Sequence, residues 1–310
     1  MRFGLDVGGT KTDAVAVTPD GVIAARVRRA TGWGADAVVT TIAESVRELA
    51  AATGIDPGQI ASIGVGIPGQ VTEGTATVRH AVNLGVERLD LRAELAPVFG
   101  VPVRAENDVK AAALGGYALH GGTGTIAYLN LGTGIAAGLV RGGRLWRGAH
   151  GTAGEVGHIS VDPAGPMCPC GQRGCIEAFS GGGSIARRWG RGGALPVRDV
   201  FDAADAGDAD AQALRAGFAY GVAAAVRVLV LTADVDTVVL GGGITALGER
   251  VLAPVAAELD ASAAASAFMR SLRLGDRVQL LPPGSPAAAL GAALIGDADP
   301  ADHREAVVHG

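Results

Sequence analysis

Residues 2–18 read RFGLDVGGTKTDAVAVT, and this stretch sets the frame for the rest of the chain. Arg2 to Val7 alternates toward apolar and predicts a strand. Gly8-Gly9-Thr10 is a turn, and Thr12 to Thr18 predicts a second strand. A strand, a glycine turn and a strand make a hairpin whose tip offers backbone N–H groups to an anion. Asp6, just before the tip, can hold Mg²⁺ through water. The stretch is not a Walker A loop, because it lacks G-x-x-x-x-G-K-[ST] and no helix follows. The plain alternative is a hairpin with no ligand. The same layout returns at residues 125–140: TIAYLNL as a strand, Gly132-Thr133-Gly134 as the turn, IAAGLV as the strand after it. Two such hairpins can grip a phosphate chain from both sides.

Between the hairpins, Asp36 to Ala52 predicts a helix, with Val38, Val39, Ile42, Val46 and Leu49 on one face. Ile60 to Ile67 predicts a buried strand ending in Pro68-Gly69. GVGIPG (64–69) matches G-x-G-x-x-G, but Pro68 and the polar residues after it do not open a helix, which excludes the dinucleotide reading. Val101 to Ala105 predicts a short strand, followed by Glu106-Asn107-Asp108 and a helix. Asn107 or Asp108 can cap that helix. A carboxylate at this place also sits in the positive field of the helix, stays ionised at pH 7 and is available as a proton acceptor. Further on, Gly181 to Gly183 precede a helix near Ser184, and Asp208 to Thr232 predicts a long apolar helix. Thr237 to Leu240 predicts a strand running into Gly241-Gly242-Gly243, a triplet that can lie flat against a base or ribose. Val278 to Leu281 is the last predicted strand, Ala287 to Ile295 the last helix, and the tail from Asp297 is polar.

Glu155 to Glu177 reads EVGHISVDPAGPMCPCGQRGCIE and holds all three cysteines of the chain, Cys168, Cys170 and Cys175, with His158 just upstream. Three thiolates and an imidazole form a closed four-ligand shell for zinc. Cys168 and Cys170 flank Pro169 in a tight turn, and Gly171 and Gly174 let the backbone double back toward Cys175. The alternative is a disulfide plus a spare thiol, against which stand the odd cysteine count and the absence of secretory features. A filled shell leaves no position for an activated water, so the site is expected to be structural. A histidine giving one ring nitrogen to a metal presents the other as an N–H donor. Glu155 and Glu177 flank this point, and such a ring of donors and acceptors suits a polyol such as a sugar. Taken singly, both glutamates also read as solvated loop residues.

A chain of 310 residues is expected to hold about two domains. Net charge is −5 and no basic stripe occurs, so nucleic acid is not an expected partner. MRFGLDVGGTK has no apolar signal region, and the apolar tract Ala219 to Leu240 is interrupted by Arg227, Asp234 and Asp236. No membrane association and a cytoplasmic location are expected. The 49 glycines fall in runs at several separated sites, as where backbone approaches a ligand from more than one side.

Taken together, DVGGTK (6–11), GIPG (66–69), END (106–108), LGTGI (131–135), AGEVGH (153–158), CPCGQRGCIE (168–177) and LGGGI (240–244) resemble the motifs of the ROK family (repressors, open reading frames, kinases), in family order across nearly the whole chain. The resemblance implies an α/β, two-domain actin-like ATPase (ribonuclease H-like) fold with an interdomain cleft. It implies a small domain over 1–112, completed by a C-terminal helix over 287–310, and a large domain over 113–286 carrying the zinc motif. By motif, Asp108 resembles the catalytic base. Asn83, Asn107, Glu155, His158 and Glu177 resemble sugar-hydroxyl ligands. The family usually has an aromatic residue shortly after that first asparagine, where this chain has Gly85. Gly9, Thr10 and Lys11, with Gly8 and Asp6 beside them, and Gly132, Thr133 and Gly134 resemble the two phosphate loops; Gly241, Gly242 and Gly243 resemble the adenosine contact. His158, Cys168, Cys170 and Cys175 resemble the zinc ligands. The implied cofactors are ATP, Mg²⁺ and structural Zn²⁺, and the implied assembly is a homodimer or homotetramer.

The expected activity is ATP-dependent phosphorylation of a hexose, glucose at its 6-hydroxyl, with N-acetylglucosamine or N-acetylmannosamine as the competing substrates. Phosphoryl transfer passes through a loose transition state, so positioning and electrostatics do most of the work, and domain closure would expel water. The rivals are a transcriptional repressor, for which the first strand at Arg2 leaves no room for a preceding DNA-binding segment, a non-catalytic sugar sensor, and a zinc hydrolase, disfavoured by the filled shell.

Overall fold

β1 (Arg2–Val7) and β2 (Lys11–Val17) form the first hairpin, in a register that sets Asp6 opposite Asp13 and Val7 opposite Thr12. The structure, a computed structural model, describes residues 1–72 and 74–295; the expected helix beyond Ile295 and the polar tail lie outside the described residues. β3 (Ile23–Ala30) continues the hairpin on its outer edge. On the other side β1 pairs in parallel with β4 (Ser62–Ile67), after which come β5 (Gln70–Val71), β6 (Thr77–Ala81) and β7 (Val86–Asp90) as a small antiparallel sheet. β8 (Val103–Asn107) closes the main sheet, in the order β3-β2-β1-β4-β8.

The repeat seen in the hairpins extends to whole sheets. β9 (Thr125–Leu131) pairs antiparallel with β10 (Ile135–Arg141), followed by β11 (Arg144–Trp146). β9 also pairs in parallel with β12 (Thr237–Gly241), and β12 with β13 (Val278–Leu280). The order β11-β10-β9-β12-β13 reproduces the first sheet strand for strand.

The chain divides into two compact units. The first comprises Met1–Gly122, Gly143–Leu145 and the segment from Pro286 onward. One face of its sheet packs on α1 (Ala35–Thr53) through Val38, Ile42, Val46 and Leu49. α2 (Leu91–Phe99), α3 (Asp108–Leu119) and, from the far end of the chain, α10 (Ala287–Ile295) complete it. Ala14 and Ala16 belong to the α1 side, whereas Val15 and Val17 meet Ala289, Leu290 and Ala293 of the last helix, the two-residue alternation of a strand buried on both faces. Small residues bring that helix in closely. A Cβ on Gly115 would run into the Ala287 carbonyl, one on Gly291 into the Ala111 carbonyl, and one on Gly4 into the Ala289 carbonyl.

The second unit comprises Thr123–Gly142 and Trp146–Ser285. It contains α4 (Ile176–Ser180), α5 (Gly182–Trp189), α6 (Pro196–Asp205), α7 (Ala209–Ala233), α8 (Glu249–Ala263) and α9 (Ala267–Ser271). α7 is long and apolar enough to cross a bilayer by length and composition, yet its Leu214, Phe218, Val222, Val226 and Leu229 are buried in this unit's core.

One element differs from expectation, and two others were not read from the sequence. β3 alternates apolar residues with Arg26 and Arg28, whose guanidinium groups reach back to Asp13 of the neighbouring strand, so a charged-looking stretch is an edge strand. The short strand expected at 101–105 lies at Val103–Asn107, so Asp108 opens its helix directly from the strand end. A short 3-10 turn over Gly243–Leu247, opened by the last glycine of the triplet, intervenes before α8.

Candidate functional site

In the first unit, the ends of β1, β4 and β8 bring the expected residues together. Asn107, rather than Asp108, caps α3: its Oδ1 accepts from the Val109 N–H at 3.0 Å and the Lys110 N–H at 3.3 Å. Its Nδ2 donates to the Gly69 carbonyl at 3.2 Å, which fixes the amide against the turn after β4. Asp108 is the first helical residue, half-buried, with Oδ1 accepting from the Val109 N–H at 2.9 Å. Gly66 lies opposite Asp6 on the adjacent strand. A Cβ there would stand 3.0 Å from the Ala111 Cβ and 3.7 Å from the Asp108 Cα, so a bare strand lets the helix start close beside Asp6.

This crowding of acids has an electrostatic cost. Burial and the Asp108 carboxylate, with Asp13 adding, push Asp6 up to about 7, and Lys11 offsets the rise only in part. Asp13 behaves oppositely. Burial pushes it up, but Arg26 and Arg28 outweigh burial and hold it below the ordinary carboxylate range. Asp6 is therefore the acid here whose charge is left short of a counter-ion, the setting in which an oxygen-ligating divalent cation binds. Beside it, the Gly8 N–H donates to the Lys11 carbonyl at 3.0 Å and leaves Gly9, Thr10 and Lys11 exposed at the tip. Asn83, exposed on a 3-10 turn over Val82–Leu84, lies against that tip: a Cβ on Gly9 would be 2.8 Å from the Asn83 carbonyl oxygen.

In the second unit, the Gly132–Gly134 turn is held by α5. The Gly182 and Gly183 N–H groups donate to the Gly132 and Thr133 carbonyls, both at 2.9 Å. These four residues line a cavity of about 520 Å³ whose other walls are largely apolar, including Leu195, Pro196, Val197, Ile244 and Leu247. Gly243 alone of the expected triplet lines it. Gly241 is glycine for packing, since a Cβ would stand against the Tyr128 ring, and Gly242 has φ 92° and abuts the Leu131 carbonyl. Sequence reasoning missed Asn130. LDVGGT (5–10) and LNLGTG (129–134) align, and Asn130 stands opposite Gly241 as Asp6 stands opposite Gly66.

The AGEVGH segment is pressed onto β10. A Cβ on Gly154 would strike the Ala137 carbonyl and one on Gly157 the Ile135 carbonyl, while Val156 is buried between them. Glu155 and His158 are exposed. Glu177, half-buried in α4, has Oε2 accepting from the Ile135 N–H at 2.9 Å.

The metal-ligating set closes as expected from its spacing. One ligand atom from each of His158, Cys168, Cys170 and Cys175 lies within 4.8 Å of the others. Cys170 and Cys175 have their sulfurs 3.7 Å apart, far beyond disulfide bonding and close to the ~3.8 Å edge of a tetrahedron with zinc–sulfur bonds of ~2.3 Å. His158 turns Nδ1 toward Cys168 Sγ at 4.0 Å. The Gln172 backbone N–H draws the Cys170 thiol down to about 6, whereas burial pushes Cys175 up to about 12. Sulfurs this close resist ionising together, and a divalent cation in their midst removes that penalty; the donor set fits zinc. The knuckle is shaped by Gly171 (φ 94°) and by Gly174, where a Cβ would strike the Asp162 carbonyl.

A model of the ROK family matches residues 2–297. A glucokinase of Halalkalibacterium halodurans is 32% identical over 281 residues, spanning 84% of this chain and 85% of that protein. An N-acetylmannosamine kinase of Shigella boydii serotype 18 is 34% identical over 254 residues, spanning 81% and 85%. Among solved structures, a ROK family glucokinase from Streptomyces griseus in complex with glucose and AMPPNP superposes with a TM-score of 0.74 at 29% identity, covering 95% of this chain and 98% of that one.

Proposed function

Because this chain belongs to the ROK family and has its actin-like ATPase fold, we propose that it is an ATP-dependent hexose kinase that phosphorylates glucose at the 6-hydroxyl. The observation that carries the reading is Asp108. It opens a helix, half-buried beside Asp6 and the glycine hairpin, where an ionised carboxylate can meet both a sugar hydroxyl and a phosphate. In this mechanism Asp108 takes the proton of the 6-hydroxyl as its oxygen attacks the γ-phosphorus, and ADP leaves. Backbone N–H groups of the Gly8–Lys11 and Gly132–Gly134 turns, with the Lys11 side chain, stabilise charge on the phosphates. The cavity beside Gly132 and Gly243 takes the adenosine. Mg²⁺, held by Asp6 through water, would neutralise the triphosphate.

Asn83, Asn107, Glu155, His158 and Glu177 hold the sugar hydroxyls in this reading, and Asn107 is already locked by its cap and by Gly69. His158, Cys168, Cys170 and Cys175 would hold zinc, whose role is to fix the imidazole so that its outer nitrogen donates. A second reading, an N-acetylhexosamine kinase, is favoured by the 34% identity to the N-acetylmannosamine kinase. Glucose is preferred because these polar holders suit its run of equatorial hydroxyls, and groups placed to pair with those hydroxyls discriminate against sugars lacking them.

The test is a sugar panel with ATP and Mg²⁺, the phosphate position of the product being read by NMR. Glucose 6-phosphate is expected. A kcat/KM for N-acetylglucosamine or N-acetylmannosamine more than about tenfold above glucose, or ~1.4 kcal/mol in transition-state binding, removes the glucose assignment and leaves the kinase. No turnover of any hexose removes the kinase.

A further inference from the structure

Trp33 is an exposed aromatic side chain on a segment fastened at both ends, close to the turn that carries Asn83. Its residue is 71% exposed, in the segment between β3 and α1. That segment is fastened at both ends. The Thr31 N–H donates to the Thr10 carbonyl at 3.2 Å, and the Thr31 hydroxyl meets the Thr12 hydroxyl at 2.9 Å, which ties it to the phosphate hairpin. The Gly34 N–H donates to the Leu84 carbonyl at 2.8 Å, which ties it to the turn carrying Asn83. The indole itself lies on Gly85: a Cβ there would stand 2.6 Å from Trp33 Nε1 and Cε2. Gly85 also has φ 67°, a conformation that favours glycine, and so leaves room for the ring above it.

The neighbourhood has the chemistry of a sugar subsite. Asn83, two residues before Gly85, is an exposed amide residue whose backbone carbonyl lies against the Gly9 tip. Val82, 77% exposed, adds apolar surface on the same turn. A pyranose is amphipathic, with hydroxyls round its rim and C–H groups on its faces. A flat indole covers such a face while an adjacent amide pairs with the rim, the usual division of labour in a small-molecule site. An exposed tryptophan alone would need no explanation. One seated on a glycine of positive φ, in a loop bonded to both the phosphate hairpin and the Asn83 turn, is a built surface.

We propose that Trp33 is a substrate-binding residue whose indole stacks on the C–H face of the hexose beside Asn83. This rests on the hexose-kinase reading above. The test compares wild type with Trp33→Ala and Trp33→Phe, measuring KM for glucose, KM for ATP and kcat separately. Trp33→Ala is expected to raise the glucose KM about tenfold, with kcat and the ATP KM within about threefold of wild type. Trp33→Phe, which keeps a flat ring, should recover most of the glucose KM. A second readout is intrinsic fluorescence. Saturating glucose should shift the emission of wild type and leave that of Trp33→Phe unmoved, although the variant still turns over. If Trp33→Ala keeps the wild-type glucose KM, or Trp33→Phe keeps the fluorescence response, the inference fails while the kinase reading stands. An unchanged KM with altered sedimentation would assign the indole to contact with a second copy instead. If the wild type phosphorylates no hexose, both readings fall together.

Discussion

The Glu177 carboxylate accepts a hydrogen bond from the Ile135 backbone N–H at 2.9 Å, and its Oε2 stands 2.6 Å from where a Cβ on Gly134 would be. One acid thus joins the cysteine knuckle to the second glycine turn, and it fills the space a side chain at Gly134 would need. Glu177→Ala leaves that N–H without its partner, so a loss of about 1–3 kcal/mol in stability is expected, seen as a lower Tm, with a raised glucose KM. Unchanged melting and an unchanged KM would show that the carboxylate serves neither purpose.

Asp108→Asn keeps the shape of the helix start while removing the proposed base. Sugar phosphorylation is expected to fall by roughly 10²–10⁴-fold, with ATP binding and the melting curve preserved. Near-wild-type turnover at saturating glucose would exclude Asp108 as the base.

Asp6 gives a pH dependence whose sign follows from its environment. Its value rises on folding from 3.8 to about 7, so the folded chain binds the extra proton between those limits. Without divalent cation, the stability contribution of Asp6 should therefore fall as pH rises from about 4 to 7. The same proton competes with Mg²⁺, so the Mg²⁺ concentration for half-maximal rate should climb as pH drops below 7. Asp108→Asn removes one of the causes of the shift and should flatten the melting-temperature profile. A flat profile in the wild type would contradict the pairing of these acids.

The cysteine knuckle should carry one zinc ion per chain, measurable by elemental analysis of the purified protein. Cys168→Ser is expected to lose the metal and raise the glucose KM through a loosened His158, with the ATP KM unchanged. Full activity in metal-free protein would remove zinc from the account.

The glycine triplet separates packing from binding. Nothing stands within 4 Å of a Cβ built on Gly243, so Gly243→Val should fold normally, intrude on the cavity and raise the ATP KM about tenfold. Gly241→Ala, driven against Tyr128, should instead lower Tm. Equal effects of the two on ATP binding would place the nucleotide elsewhere.

What was legible in the residues was whatever local chemistry dictates. The hairpins announce themselves through strand–glycine–strand order, and the knuckle through three cysteines spaced by proline and glycines. The capping role of Asn107 was open between two neighbours until its bonds to Val109, Lys110 and Gly69 decided it. The remainder depended on contacts between distant parts of the chain. Nothing in IAARVRRA says that two arginines will turn back onto Asp13, and nothing near residue 85 says that an indole from residue 33 will lie on it. Asn130 was within reach, because aligning one hairpin on the other places it over Asp6.

The packing of the last helix also sets an order of events during synthesis. Val15 and Val17 wait for Ala289, Leu290 and Ala293 to cover them, and Gly4 and Gly115 are shaped for carbonyls from that same helix. All of Thr123–Gly142 and Trp146–Ser285 leaves the ribosome first, and that second unit's core draws only on residues already translated. The half of the molecule begun earliest is therefore finished last. A chain truncated after Ser285 would keep every residue of the second unit's core and leave Val15 and Val17 of the first unit without the helix that covers them.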